Sequence, residues 1–101
     1  MTPAFTVLVV GSRTYDDAAA VRKALDTLLK RHPGLTVLTG DDTETEKHAW
    51  VWASDNGRPC IADPRGPEFL VCYLPDGCVA FGGGDTEAAE RACLKIWKPQ
   101  Q

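Results

Sequence analysis

Apolar residues recur along this chain in two alternating rhythms. Phe5 to Val10 form a continuous, mostly β-branched run that stops at Gly11, the pattern of a strand buried on both faces. Ala18, Val21, Leu25, Leu28 and Leu29 then fall at helical spacing up to about Arg31. Asp16 or Asp17 is placed to cap that helix, and His32-Pro33-Gly34 to end it. Leu35 to Thr39 repeats the strand rhythm and stops at Gly40. Thr43-Glu44-Thr45-Glu46 follows with capping-box spacing, opening a helix through Ala49, Trp50, Trp52 and Ala53 to Asn56-Gly57.

The second half is more broken. Pro59 to Ala62 predicts a third strand, Asp63-Pro64-Arg65-Gly66-Pro67 a loop, and Phe69 to Leu74 fits either a strand or a short helix. Pro75-Asp76-Gly77 is a turn before the strand Cys78 to Phe81. Gly82-Gly83-Gly84 leads to Asp85 as the N-cap of a last helix, Thr86 to Leu94, and Lys95-Ile96-Trp97 closes as a short strand. This alternation predicts an α/β, Rossmann-like three-layer sandwich around a mostly parallel sheet of about four or five strands. Gly11, Gly40 and Gly82 each end a strand and precede a helix, which gathers their loops on the carboxyl edge where such sheets bind ligands.

With 101 residues the chain reads as one domain, residues 1–101. A net charge of −3 speaks against direct nucleic-acid or membrane-surface binding, both of which favour a basic face. Met1 to Phe5 lacks the basic start of a signal peptide and the chain has no long apolar run, so the expectation is a cytoplasmic protein. Cys60, Cys72, Cys78 and Cys93 form no C-x-x-C pair, and buried thiols are expected rather than disulfides or a metal template.

Chemistry concentrates at Gly11-Ser12-Arg13. A strand end, a small hydroxyl and a following helix N-terminus aim backbone N–H groups at one point, and Arg13 adds a planar cationic fork for phosphate or carboxylate. The same residues are also compatible with an ordinary turn bearing a surface arginine. Val7 to Asp16, the spacing of Thr39-Gly40, Ala49, Trp52-Ala53, Gly57 and Pro59, and Phe81-Gly82-Gly83-Gly84-Asp85-Thr86 together resemble the SLOG superfamily, specifically its YspA-like branch. The resemblance implies a pocket for a nucleotide or nucleotide-derived small molecule. Carried over by position, Gly11, Ser12, Arg13 and Asp16 line one corner, Gly40 a second, and Gly82, Gly83, Gly84 and Thr86 a third.

The chain departs from that pattern in its charges. Where relatives carry glycines after Gly40 it has Asp41, Asp42 and Glu44, with Glu46 at the acidic position. Four carboxylates repel a phosphate unless a cation intervenes; they also suit a helix start by themselves. Asp41 with Asp42 or Glu46 is the pair that could hold Mg²⁺, but no metal residues and no cofactor are assigned. Ala89 stands where the hydrolase branch needs a glutamate, with Glu87 and Glu90 displaced to either side, so no catalytic residue is assigned. Three classes follow: a non-catalytic ligand sensor, a pocket-degenerate interaction or inhibitor protein with a protein partner, and a phosphoribohydrolase-type enzyme. Arg65 reads as a surface residue or a second cation for the pocket, and His48 as solvated without a partner. Ala88, Ala89, Ala92 and Leu94 fit either a homodimer interface or the core.

Overall fold

The computed structural model describes residues 4–40, 43–84 and 86–99. In chain order the elements are β1 (Ala4–Gly11), α1 (Ala18–Arg31), β2 (Gly34–Thr39), α2 (Glu44–Asp55), β3 (Cys60–Ala62), α3 (Pro67–Leu70), β4 (Gly77–Phe81), α4 (Glu87–Arg91) and β5 (Lys95–Trp97). A 3₁₀ turn, Val71–Tyr73, extends α3. The five strands form one sheet in the order β3-β2-β1-β4-β5. Every pairing is parallel, with Val7 beside Val37 on one flank and Val9 beside Val79 on the other. The architecture is the Rossmann-like α/β sandwich that the apolar rhythm predicts.

The unbroken apolar run of β1 has a simple cause, because both faces of the central strand are covered. Val7 and Val9 pack with Val21 and Leu25 of α1 and with Ala49, Trp52 and Ala53 of α2. Leu8 and Val10 face the other way, onto Leu38, Leu70, Cys78 and Ala89. Trp52 is buried as the helical spacing requires, and its indole N–H donates to Asp26 Oδ1 at 2.8 Å, tying α2 to α1. Trp50, two positions away, is 53% exposed. Ala88 and Ala89 belong to the core, Leu94 packs against it half-buried, and Ala92 is exposed.

Local chemistry explains the boundaries. Asp17, not Asp16, caps α1, its carboxylate accepting from Ala20 N–H at 3.0 Å. His32 ends α1 and stacks on Phe5, ring centroids 3.7 Å apart, rather than projecting into solvent. The ambiguous stretch after Phe69 is helical, because Gly66 and Pro67 start α3 and its 3₁₀ extension stops at Leu74 in the left-handed region. The last helix is shorter than its apolar pattern predicts, and Asp85, expected as its cap, lies outside the described residues. Its end is a Schellman arrangement in which Cys93 takes the left-handed position, Cys93 N–H meets Glu90 O and Leu94 N–H meets Ala89 O, both at 3.0 Å.

All four cysteines are free thiols. The expectation of burial holds for Cys78, partly for Cys60, and fails for Cys72 and Cys93, which are exposed. Burial pushes the Cys60 thiol to about 11 and the Cys78 thiol to about 12. No helix among the described residues is long and apolar enough to cross a membrane.

A non-glycine residue in the left-handed region costs on the order of 1–2 kcal/mol, part of which glycine gives back as unfolded-state entropy. Cys93→Gly is therefore expected to raise the unfolding free energy by about 0.5–1 kcal/mol in urea denaturation. Unchanged or lower stability would show that the Cys93 side chain contributes more than its backbone strain removes.

Candidate functional site

The winding of the sheet reverses between β1 and β4, since β2 and β3 lie on one side of β1 while β4 and β5 lie on the other. In open α/β sheets that reversal opens a crevice at the carboxyl edge. Here the two loops bordering it are fastened together. Ser12 N–H and Gly84 N–H both donate to Phe81 O, at 3.2 and 3.0 Å. A Cβ at Gly84 would stand 2.8 Å from the Cα and N of Gly11, so the two backbones touch. Gly82, at φ +57, leaves room for Tyr15, whose ring leans on Phe81 with centroids 5.7 Å apart. Burial, and then the nearby Asp17 carboxylate, raise the Tyr15 phenol above its ordinary value. Gly11 and Ser12 are half-buried, and Arg13 and Gly83 are exposed along this wall.

At the second corner the protein supplies its own anion. Glu46 is 5% exposed. Its Oε2 accepts from Gly40 N–H at 2.8 Å, and its Oε1 accepts from Thr43 N–H and the Thr43 hydroxyl, each at 3.0 Å. Thr43 Oγ1 accepts in turn from Glu46 N–H at 3.2 Å, completing the expected capping box. The carboxylate thus does more than favour a helix dipole: it occupies the backbone donor at Gly40, and a side chain at Gly40 would collide with it. The Gly40 N–H that the resemblance offers to a ligand is therefore engaged by Glu46. Asp41 and Asp42, the first members of the acidic pair expected for Mg²⁺, lie outside the described residues, and Glu46 is engaged by Gly40 and Thr43.

Beside the first corner stands a contact that short-range reading misses. His48 Nε2 lies 2.7 Å from Asp16 Oδ1, so His48 is not the partnerless histidine its sequence context predicts. Glu44 sits one turn before His48 on α2, and the donor atoms of Asp16, Glu44 and His48 all lie within 4.8 Å of one another. The i,i+4 spacing of Glu44 and His48 was the available signal; nothing local placed Asp16 opposite them. Thr45, between them in sequence, is fully buried against Gly11, and its hydroxyl has no hydrogen-bond partner among the described residues.

Other candidates are engaged elsewhere. The Thr86 hydroxyl donates to Glu90 Oε2 at 2.7 Å, and Glu87 pairs with Arg91 at 3.5 Å. Arg65 is bound to Asp63 through Nε and Nη2, the latter at 2.7 Å, and lies 4.6 Å over the Phe69 ring. It is a surface residue bracing a loop, and its side-chain hydrogen bond holds the Asp63 carboxyl below the usual range. A groove of about 420 Å³ between α1 and β5, floored by Leu28, Val79 and Trp97, shares no residue with these loops.

The Gly11 corner, the α2 start and the β3 connection lie within residues 5–64, which the profile of the YspA, cpYpsA-related SLOG family matches. The chain belongs to that family. The match covers β1 to β3, so the Gly82–Gly84 loop and Thr86 lie beyond it. No curated protein and no solved structure gives a significant match.

Hydrogen bonds to a charged group contribute about 1.5–3 kcal/mol each, and stranded donors add to the loss. Glu46→Ala is expected to lower the unfolding free energy by about 3 kcal/mol, and Glu46→Gln by about half as much. Chemical denaturation of both variants checks this; a loss below about 1 kcal/mol for the alanine variant would remove Glu46 as the anchor of the corner.

Proposed function

We propose that the chain is a non-catalytic module that binds a nucleotide or nucleotide-derived small molecule at the carboxyl edge of its sheet. The ligand's anionic end rests against Gly11, Ser12 and Arg13, with Gly83 and Gly84 forming the facing wall and Asp16 at the rim. Membership in a SLOG family supports a nucleotide-related module in general. The observation that carries the finer reading is the contact of the two backbones at Gly11 and Gly84, placed at the reversal of strand order. Close backbone packing there keeps bulky side chains out of the crevice. Because Ser12 N–H and Gly84 N–H are given to Phe81 O, the contact with the phosphate falls to the Arg13 guanidinium.

Glu46 limits what such a ligand carries. Because its carboxylate already satisfies the donors of Gly40 and Thr43, a second phosphate at that corner would meet a buried carboxylate in place of those two donors. The ligand therefore bears a single anionic group, as in a nucleoside monophosphate, rather than a chain of phosphates spanning both loops. Absence of turnover is supported by the engagement of Glu87 with Arg91 and of Glu90 with Thr86, and by Ala89, 1% exposed, in the place of an acid.

Calorimetric titration of the purified chain with nucleoside mono-, di- and triphosphates is expected to give micromolar binding that favours monophosphates. Arg13→Ala should weaken it at least tenfold, about 1.4 kcal/mol or more, with the ligand recovered intact after incubation. No binding across the panel by folded protein, or release of free base from the ligand, would sink this reading.

A further inference from the structure

Asp16, Glu44 and His48 come from two separate segments of the fold. Asp16 lies in the loop before α1, while Glu44 and His48 share one face of α2. Their donor atoms converge within 4.8 Å. Donors around an ion with bonds of about 2.0–2.2 Å sit roughly 3–4 Å apart, so convergence needs only small rotations of two exposed carboxylates. The histidine is the more constrained member, with its side chain 25% exposed and its Nε2 already turned to Asp16. Lys47 meets Glu44 at 3.5 Å, but the pair is solvent-exposed and contributes little to fixing Glu44.

We propose that Asp16, Glu44 and His48 form a binding site for a first-row divalent cation of the Zn²⁺ or Co²⁺ class. An imidazole nitrogen with two carboxylates is a mixed N,O donor set, which suits these ions better than the all-oxygen sets of Mg²⁺ or Ca²⁺. Three protein ligands leave coordination positions for water or an incoming anion. On binding, the ion takes the Nε2 lone pair and the imidazole keeps its hydrogen on Nδ1; a protonated imidazole releases one proton. The site stands on its own geometry. Joined to the nucleotide reading, it also answers the electrostatic problem of the corner, because a bound cation turns the two repelling carboxylates of Asp16 and Glu44 into an attractive rim for a phosphate.

The test is a titration of the intact chain with Co²⁺ alone, followed by its visible absorption, with Zn²⁺ as competitor. One saturable equivalent is expected, displaced by Zn²⁺, with no thiolate-to-cobalt charge-transfer band. His48→Ala and Glu44→Gln should each weaken binding at least tenfold with unchanged circular dichroism, while Lys47→Gln should not weaken it. Three results would overturn the proposal: no saturable binding at millimolar Co²⁺, full affinity in both ligand variants, or a thiolate band tracing the ion to exposed Cys72 or Cys93. Repeating the nucleotide titration with and without Zn²⁺ separates the two readings. Cobalt binding without nucleotide binding leaves the metal site standing alone, and the converse removes the metal site only.

Discussion

The end of β1 has no room for a side chain. Thr45 of α2 presses on Gly11 from one direction, and the backbone of Gly84 approaches it from another. β1 is bonded on both flanks, to β2 and to β4, so a displacement at its end would be carried along both neighbours. The placement of both loops at the carboxyl edge follows from this pinch. Ser12 and Gly84 share Phe81 O because their backbones are already side by side, and Tyr15 closes over Gly82 because nothing larger stands there. Thr45 bears a cost for its position: a buried hydroxyl without a partner among the described residues forfeits about 1–3 kcal/mol, at a point where the Thr45 side chain packs directly against the glycine.

The acidic character of the chain resolves into separate local arrangements. Glu46 points inward and is satisfied by backbone N–H groups, Asp63 is held by Arg65, and Asp16 faces His48. The net charge of −3 therefore says little about the potential at any one corner. Two neighbouring helix-start carboxylates, Glu44 and Glu46, do opposite things, one exposed at the rim and one sealed beneath Gly40.

What could be read from the residues in advance was what short-range chemistry controls. An aspartate cap for α1 at Asp16 or Asp17, the capping box of Thr43 and Glu46, the glycine stops of β1, β2 and β4, and the burial of Trp52 against the exposure of Trp50 all follow from spacing within a turn or two. The end of α4 escaped because a cysteine, not a glycine, takes the left-handed position. The reach of Glu46 back to Gly40 escaped because a capping box accounts for its bonds to Thr43 and not for the second carboxylate oxygen, which turns to Gly40. His48 with Asp16, 32 positions apart, and the exposure of Cys72 and Cys93 depend on how elements pack, which periodicity does not encode. The site was legible as an edge and a set of glycines, and illegible as a set of filled and open corners.

The two walls of the crevice have different histories along the chain. Gly11 and Arg13 belong to the winding of β1, α1 and β2, whose contacts are short in sequence, whereas Gly84 reaches them only when β4 closes on β1. That closure joins Thr6 to Asp76, 70 positions apart, and loop-closure entropy must be met before the pairing returns anything. A molecule touching both walls draws on the same closure that completes the sheet. Occupancy and global cooperativity would then form one linked equilibrium, in which a molecule bridging the walls raises the cost of separating β4 from β1.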